Sequence, residues 1–552
     1  MKKFTAILLA VVMLFALSAS AFAATNSLET DYAIGDGLGV SVDLNIEGMY
    51  FDGVDILNTA TNGYYPFSFS LIASDRTKVA SVTVSNGGSF HWAYAQNADG
   101  SYVTDEDGNY VESTTTNYGV VVLPTTSAST VTVTGTGNIG SATFNCAQPN
   151  GGTTAAGAAL YAYLPAPAQF VNEGVTTGGW GDAYDSNGTV KATSSTGVSL
   201  GFFGGYAVYE FENPIADDPT HPYGADFIVY GNAFWNNSEA GCIQVSKDGA
   251  TWYDIAGSMY YTKSTKGATI TYTNPSTSED AGITAAGTNL GTLAPVNYTL
   301  NGTAGTVTTN TFHNHSWFPL NANYFTASGS RAAMAKLDEF SFVSRTLASN
   351  GVTNTLTFTG TLLTDYPGTG KTDQIGFGYC DVHPNKTLGG TIAYNPYQTF
   401  TSSSDYDTKV AGTSGGDPID IAWAVNPDGT PANLDSIRYV RIYTGMAQMN
   451  GIFGEISTEV CGVAASTGTG AGKATTDLVV KRLNQPIPTE NNKAVSVAAG
   501  SFRITSAEEN VYVNGVKVTA SSGYALNVVA GKSYQIITQS GTEAPYITVL
   551  VG

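Results

Sequence analysis

The residues with chemistry to offer fall into a few short stretches. Trp180 and Asp182 belong to the Gly-rich segment 178–182 (GGWGD). An aromatic plane beside a carboxylate in such a loop suits stacking against a sugar or another ring. The plainer alternative is a loop tryptophan tucked over a sheet edge. Asn232, Trp235 and Asn236 directly follow the apolar run 227–230, in a loop that also holds Phe234, Asn237 and Glu239. Asparagine amides donate and accept, glutamate accepts, and Trp235 offers a stacking face, so this is the principal candidate ligand loop. A turn rich in asparagine because that residue tolerates left-handed backbone is the competing reading. His313 and His315, with Trp317, form the string HNHSW. On a strand the two imidazoles would share one face, as metal or ligand contacts or as an exposed polar strand. Glu239, Asp373 and Asp381 are the loop carboxylates of the central part of the chain that could bind calcium, whose ligands are hard oxygens. His383 lies close by, after Tyr379-Cys380-Asp381.

Signatures of catalysis are missing. The sequence holds no GxSxG elbow, HExxH, P-loop or dinucleotide fingerprint. A glycosidase needs only two facing carboxylates, which 44 acidic residues could supply without a motif. Residues 105–109 (DEDGN) with Glu112 lack the glycine and glutamate spacing of an EF-hand and read as a hairpin turn. The segment 412–416 (GTSGG) has hydroxyls without a recognisable activating base.

The elements that must position these groups are strands. Short runs rich in Val, Ile, Tyr, Phe and Thr, broken by Gly, Asn, Asp and Pro, predict an all-β chain of several sandwiches. Only residues 330–339 (SRAAMAKLDE) have helix-favouring composition. Alternation of apolar and polar residues at 39–46, 67–72 and 81–84 predicts half-buried strands in an N-terminal β-sandwich, residues 24–146. Residues 147–158 and 464–476 read as Gly/Thr/Ala linkers. Between them lies the aromatic-rich central domain, 159–463, with a jelly-roll-like order of strand, irregular loop, strand and Asp-Gly hairpin. Residues 477–552 form a small C-terminal β domain, where VYVNGVKV at 511–518 predicts a hairpin turning through Asn514-Gly515. No fixed-period repeat is present, which argues against solenoids and propellers.

Several spaced strings in the central domain carry a resemblance. These are VSLGFFGGYAVYEF at 198–211, GADFIVYGNAF at 224–234, CIQVSKDGATWYDI at 242–255 and GEISTE at 454–459. The order of a GGFGG-like strand, DF-V-GN-F, VS-DG-W and GE-STE resembles a family of largely uncharacterised secreted bacterial cell-surface proteins, over about residues 164–459. The Ser-x-Asp-Gly-x-x-Trp hairpin at 246–252 is also similar to that of discoidin-type jelly rolls. The resemblance implies a surface-exposed sandwich that binds a glycan or a small nutrient such as a corrinoid. The chain departs from lipoprotein relatives in having no lipid-anchor cysteine after its leader.

Composition and leader agree with that setting. Lys2 and Lys3, an apolar run at 4–17 and Ala21-Phe22-Ala23 form a secretory signal with expected cleavage after Ala23. The apolar run is too short for a spanning helix. Lys+Arg number 23 against Asp+Glu 44, a net charge of −21, which argues against a nucleic-acid partner and suits either calcium or plain solubility. Cys146, Cys242, Cys380 and Cys461 are widely spaced, so they pair in one of three ways or remain buried thiols. The expected function is a secreted surface binding protein without a catalytic site. Its partners would be a glycan or small nutrient and components of the cell envelope. An extracellular polysaccharide hydrolase and a self-assembling structural envelope protein are the alternatives.

Overall fold

The structure is a computed structural model. It describes all residues except 1–29, 36–37, 44–67, 93–94, 96–102, 104, 106–110, 123–128, 147–151, 154–156, 172–196, 236, 248, 250, 274–294, 309–316, 320–354, 365–375, 393, 450–453 and 473. The leader and the helix-favouring stretch 330–339 lie outside the described residues.

The described residues are nearly all β, arranged in several sheets that are antiparallel except for one pair of strands. Near the N-terminus, Thr30–Gly35, Leu38–Asp43, Ser68–Ala73, Tyr118–Val122 and Ser89–Trp92 form one sheet in that order. Val79–Val84, Ser129–Gly135 and Ser141–Cys146 form a second. The sequence STVTVTG at Ser129–Gly135 shows why: alternate residues are buried along its whole length, as the two-residue period of a strand requires.

The central unit is built on a seven-stranded sheet. Its middle is Gly241–Ser246, Ser436–Thr444 and Tyr206–Ala216, flanked by Tyr253–Ile255 and Ala424–Val425 on one side and Ala159–Leu164 and Gly152–Thr153 on the other. A short sheet places Phe227–Tyr230 between Asp417–Ile419 and Gly462–Ala465. All four residues of Phe227–Tyr230 are buried, which is why the sequence there runs FIVY without a polar break. Val198–Ser199 pairs with Glu459–Val460. Beyond Ala465 the chain stays on this unit, because Ser466, Thr467 and Gly470 donate backbone hydrogen bonds to Asp226, Gly390 and Thr220.

Among the described residues, one α-helix, Ser403–Lys409, interrupts the β pattern. Ser402 caps it by accepting from Asp405 N at 3.0 Å, and Lys409 pairs with Asp405 one turn away at 3.1 Å. It buries Tyr406 beside Tyr394 and Phe400.

The C-terminal unit is a two-sheet sandwich. Val480, Phe502, Ile504, Leu526 and Val528 face Val513, Ile536 and Leu550 across its core. Tyr512, Ile537 and Ile547 point the other way, into the main core of the central unit. The strand Ser533–Gln539 is therefore buried on both faces from Gln535 onward, with Gln535 and Gln539 at 2% and 1% exposure. Tyr512 packs on Phe377 and Tyr397 and donates its hydroxyl to the Tyr397 carbonyl at 2.5 Å.

The hairpin Asn510–Val513/Val516–Lys517 turns through Asn514 (φ 47°) and Gly515 (φ 74°), both left-handed as a two-residue turn of this kind requires. Its tip is seated on the central unit, since a Cβ on Gly515 would lie 1.7 Å from the Ser258 carbonyl oxygen. Gly515→Ala is expected to cost about 2 kcal/mol or more, because left-handed alanine alone costs about 1–2 kcal/mol and the methyl also meets that oxygen. Gly541→Ala (φ 55°), with no atom within 4 Å of its Cβ, carries the backbone cost alone. Thermal unfolding of the two variants compares them; equal midpoints would mean that the hairpin tip is not held against Ser258.

Candidate functional site

The strand Phe227–Tyr230 delivers the chain to Gly231, where the loop 231–240 begins. A side chain is not tolerated there, since a Cβ on Gly231 would lie 2.2 Å from Asp381 Oδ1. Asp381 itself is fully buried and holds a left-handed backbone (φ 62°). From that position it fastens the loop at both ends. Its Oδ1 accepts from Asn232 N at 2.7 Å, and its backbone carbonyl accepts from Glu239 N at 3.0 Å. Its Oδ2 accepts from Glu459 N at 3.1 Å, tying in the Glu459–Val460 strand. Cys380 and Gly241 exchange two backbone hydrogen bonds of 2.9 Å just behind, and Thr458 Oγ1 donates to the Glu239 carbonyl at 2.7 Å.

These contacts bring one carboxylate oxygen from each of Glu239, Asp381 and Glu459 within 4.8 Å of one another. Asp381 and Glu459 are 0% and 5% exposed, and Glu239 is half-buried. Glu459 Oε1 has no hydrogen-bond partner. Among the described residues, no lysine, arginine or histidine forms an ion pair with any of the three. Two unit charges at this separation repel by about 4 kcal/mol even at an effective dielectric of about 20. The cluster therefore has to hold either protons or a cation. Burial foremost, then Glu459 and Asp381, pushes the Glu239 carboxyl well above its usual range. Burial and Glu459 do the same to Asp381, against the pull of its two backbone hydrogen bonds. Burial lifts Glu459 to about 7. Glu455, also buried, is lifted to about 8; its Oε1 accepts from Gln169 N at 3.0 Å, while Oε2 has no partner. Three close oxygen donors, two of them buried, suit a hard divalent cation such as calcium, with loop carbonyls and water completing its shell.

A second acidic group, Asp217, Asp226 and Asp420, also has oxygens within 4.8 Å of one another. It differs in having a basic side chain in contact, for His221 Nδ1 lies 3.0 Å from Asp226 Oδ1 and that bond raises the imidazole above its ordinary range. Asp226 accepts from Asp218 N and Ile421 N, both at 2.9 Å, and Asp420 caps the turn at Ile421–Trp423. These bonds close the loop after Tyr206–Ala216 against the segment before Ala424–Val425.

Of the residues singled out from sequence, Glu239 and Asp381 lie together in this cluster. Their third partner is Glu459 of the GEISTE string, because its strand crosses beneath the loop; spacing alone gave no sign of that crossing. Asp373, Trp180, Asp182, Asn236, His313 and His315 lie outside the described residues. Asn232 enters the site through its backbone N–H. Trp235 turns inward, 6.2 Å from Tyr406 and 6.5 Å from Phe400, while Phe234 is 65% exposed at the tip of a turn closed by Asn237 N donating to Phe234 O at 3.0 Å. Trp317 is 2% exposed within the main core. Cys242, Cys380 and Cys461 are buried, and burial lifts the Cys461 thiol to about 12, so they pack as small hydrophobes.

No family model matches this sequence, and no curated protein is significantly similar to it.

The raised carboxyls set a pH dependence. An unfolded glutamate titrates near about 4.3, so between roughly pH 4.5 and 7 the folded cluster keeps protons that the unfolded chain has lost, and stability falls as pH rises. Asp217, lifted to about 7 by burial and by Asp226, adds the same sign. His221, raised by its bond to Asp226, also loses its contribution as pH rises through its folded value. In the presence of a chelator, the unfolding midpoint is expected to fall steadily from about pH 5 to about pH 7.5. A midpoint that climbs over this range would contradict the assignment of protons to the cluster.

Proposed function

We propose that the chain is an exported cell-surface protein whose central unit binds a ring-bearing ligand, a glycan, through the loop 231–240, and that calcium at Glu239, Asp381 and Glu459 holds this loop in shape. The observation that carries the reading is the double fastening of the loop on Asp381, through Asn232 N at 2.7 Å and Glu239 N at 3.0 Å. A cation at the cluster replaces the protons that the three carboxylates otherwise need and locks both loop ends at once. Phe234, 65% exposed at the loop tip, is the stacking face such a loop presents. The Lys2-Lys3 leader with Ala21-Phe22-Ala23 and the resemblance to secreted surface proteins support the location. The 0% and 5% exposure of Asp381 and Glu459 favours a cation that organises structure over a hydrolytic pair, whose carboxyls must touch substrate.

Two variants separate the parts of this reading. Glu459→Gln is expected to weaken calcium binding, followed by calorimetry, by about tenfold or more, since a ligand charge is lost. It should also remove most of the rise in unfolding midpoint that calcium gives the parent at neutral pH. Phe234→Ala is expected to leave calcium binding intact while abolishing retention on a glycan array. A parent protein whose midpoint ignores calcium at every pH would overturn the cation centre. An array profile unchanged by Phe234→Ala would overturn the loop as the binding face.

A further inference from the structure

One end of the C-terminal sandwich is apolar where a solvent-facing turn would be polar. The strands Val479–Arg482 and Gln485–Ile487 are joined by the two-residue turn Leu483-Asn484, in which both residues are left-handed, with φ 48° and 65°. Asparagine is accepted in that region, whereas a bulky side chain is an outlier. The hairpin at Asn514-Gly515 meets the same backbone need with favourable residues. Leu483 is thus not what the turn requires, and at 87% exposure it does not serve the core. Two more loops reach the same end. Arg482 donates to the Ala499 carbonyl at 2.8 Å, which ties the turn to loop 497–499, and Gly500 pairs with Val528, which brings in loop 529–532. These loops expose Ala498, Ala499, Val529 and Ala530.

Charge within the unit is distributed to match. Residues 477–552 hold six basic and five acidic residues, against 23 and 44 in the chain as a whole. All five acids belong to the other end of the sandwich. Asp477 precedes Val479–Arg482, Glu490 follows Gln485–Ile487, Glu508 and Glu509 follow Gly500–Thr505, and Glu543 lies in the turn after Ser533–Gln539. The three apolar loops carry no acid, while Arg482 and Lys532 stand beside them and Lys481 is exposed next to the leucine turn. Among the described residues, none of these three cations forms an ion pair. Asp428 of the central unit comes to the base of loop 529–532, where its carbonyl accepts from Ser533 Oγ at 3.0 Å.

We propose that this end of the C-terminal sandwich docks on a lipid surface with anionic headgroups, with Leu483 and the neighbouring loop side chains entering the interface and Lys481, Arg482 and Lys532 meeting the headgroups. Binding at such a surface grows with the apolar area removed from water and with the attraction of nearby cations to anionic lipids, and this end supplies both. A soluble polyanion would use the cations alone and leave the strained leucine without a role. The acidic remainder of the chain does not forbid the approach, because charges on exposed groups are screened beyond about 8 Å at physiological ionic strength. The surface shares no residue with the loop 231–240 or with the carboxylate cluster, and the proposal does not rest on either.

The test is co-sedimentation of the full chain with vesicles of phosphatidylcholine alone and of phosphatidylcholine mixed in equal parts with phosphatidylglycerol. All runs contain a chelator, so that calcium cannot bridge acidic protein to acidic lipid. The parent is expected to bind the mixed vesicles, to bind phosphatidylcholine far more weakly, and to be released by salt. Leu483→Asn is expected to weaken binding by about tenfold or more, the value of one buried leucine side chain. Its unfolding midpoint should equal or exceed the parent's, because asparagine suits left-handed backbone; lost binding therefore cannot be put down to lost folding. Lys481→Gln and Lys532→Gln should each weaken binding about fivefold. Lys493→Gln, which removes the same charge from the strand Lys493–Ser496, should leave it unchanged. The proposal is overturned if the mixed vesicles are not bound, if Leu483→Asn keeps the parent's affinity, or if Lys493→Gln costs as much as Lys532→Gln. Concentration-dependent dimers in light scattering that vanish in Leu483→Asn, without vesicle binding, would give this end to a second copy of the chain and overturn it equally.

Discussion

Like charges cannot be buried together without compensation, and that constraint organises the centre of this molecule. Three carboxylate oxygens within 4.8 Å of one another, two of them on residues almost removed from solvent, have no basic side chain among them in the described residues. Every structural feature around them serves to hold that arrangement. Gly231 leaves room for Asp381, Asp381 takes left-handed backbone, and two backbone N–H groups aim at its oxygens. Such a cluster is a poor source of stability by itself, since desolvation works against it. Its persistence makes sense where a bound species supplies the missing positive charge. The Asp217, Asp226 and Asp420 group marks the contrast, because His221 lies against Asp226 there and oxygens of Asp226 and Asp420 accept backbone N–H groups of the turn at Ile421–Trp423.

The second organising feature is the seam between the central and C-terminal units. Phe377, Tyr397, Trp423 and Tyr512 interlock with ring centroids 4.8 to 5.7 Å apart. Trp423 Nε1 donates to the Tyr397 hydroxyl at 2.9 Å, so the polar ends of these rings are satisfied inside the seam. An interface this aromatic is built to stay closed. It turns a small sandwich that could have swung on a linker into a fixed wall of a cleft, with the hairpin tip at Gly515 resting on Ser258.

Much of the architecture was legible because a two-residue period leaves a plain record. The alternation at 81–84, the unbroken apolar run FIVY and the Asn514-Gly515 turn each correspond to a single physical requirement, and each is met in the fold. The helix Ser403–Lys409 was missed because its single buried face, Tyr406, is too short to register as periodicity; the Ser402 and Asp405 cap was the available signal. At the candidate site, loop context singled out Glu239 and Asp381 only as separate carboxylates, alongside Asp373. It was not enough to find Glu459, because strand crossing is a property of topology rather than of local sequence. Trp235 shows the opposite failure. Its position in a polar loop suggested an exposed ring, yet Phe400 and the Tyr406 of that unforeseen helix give it somewhere to bury, and the neighbouring Phe234 is left outside.

The acidic composition deserves a second reading in this light. A net charge of −21 governs how the whole molecule approaches a polyanion, and on that scale it disfavours nucleic acid. Screening confines such effects to about 8 Å at physiological ionic strength. Inside a cleft the charges that matter are the few within that distance. The oxygens of Glu239, Asp381 and Glu459 illustrate this, since their surroundings within a few ångströms, and not the net charge, set their protonation.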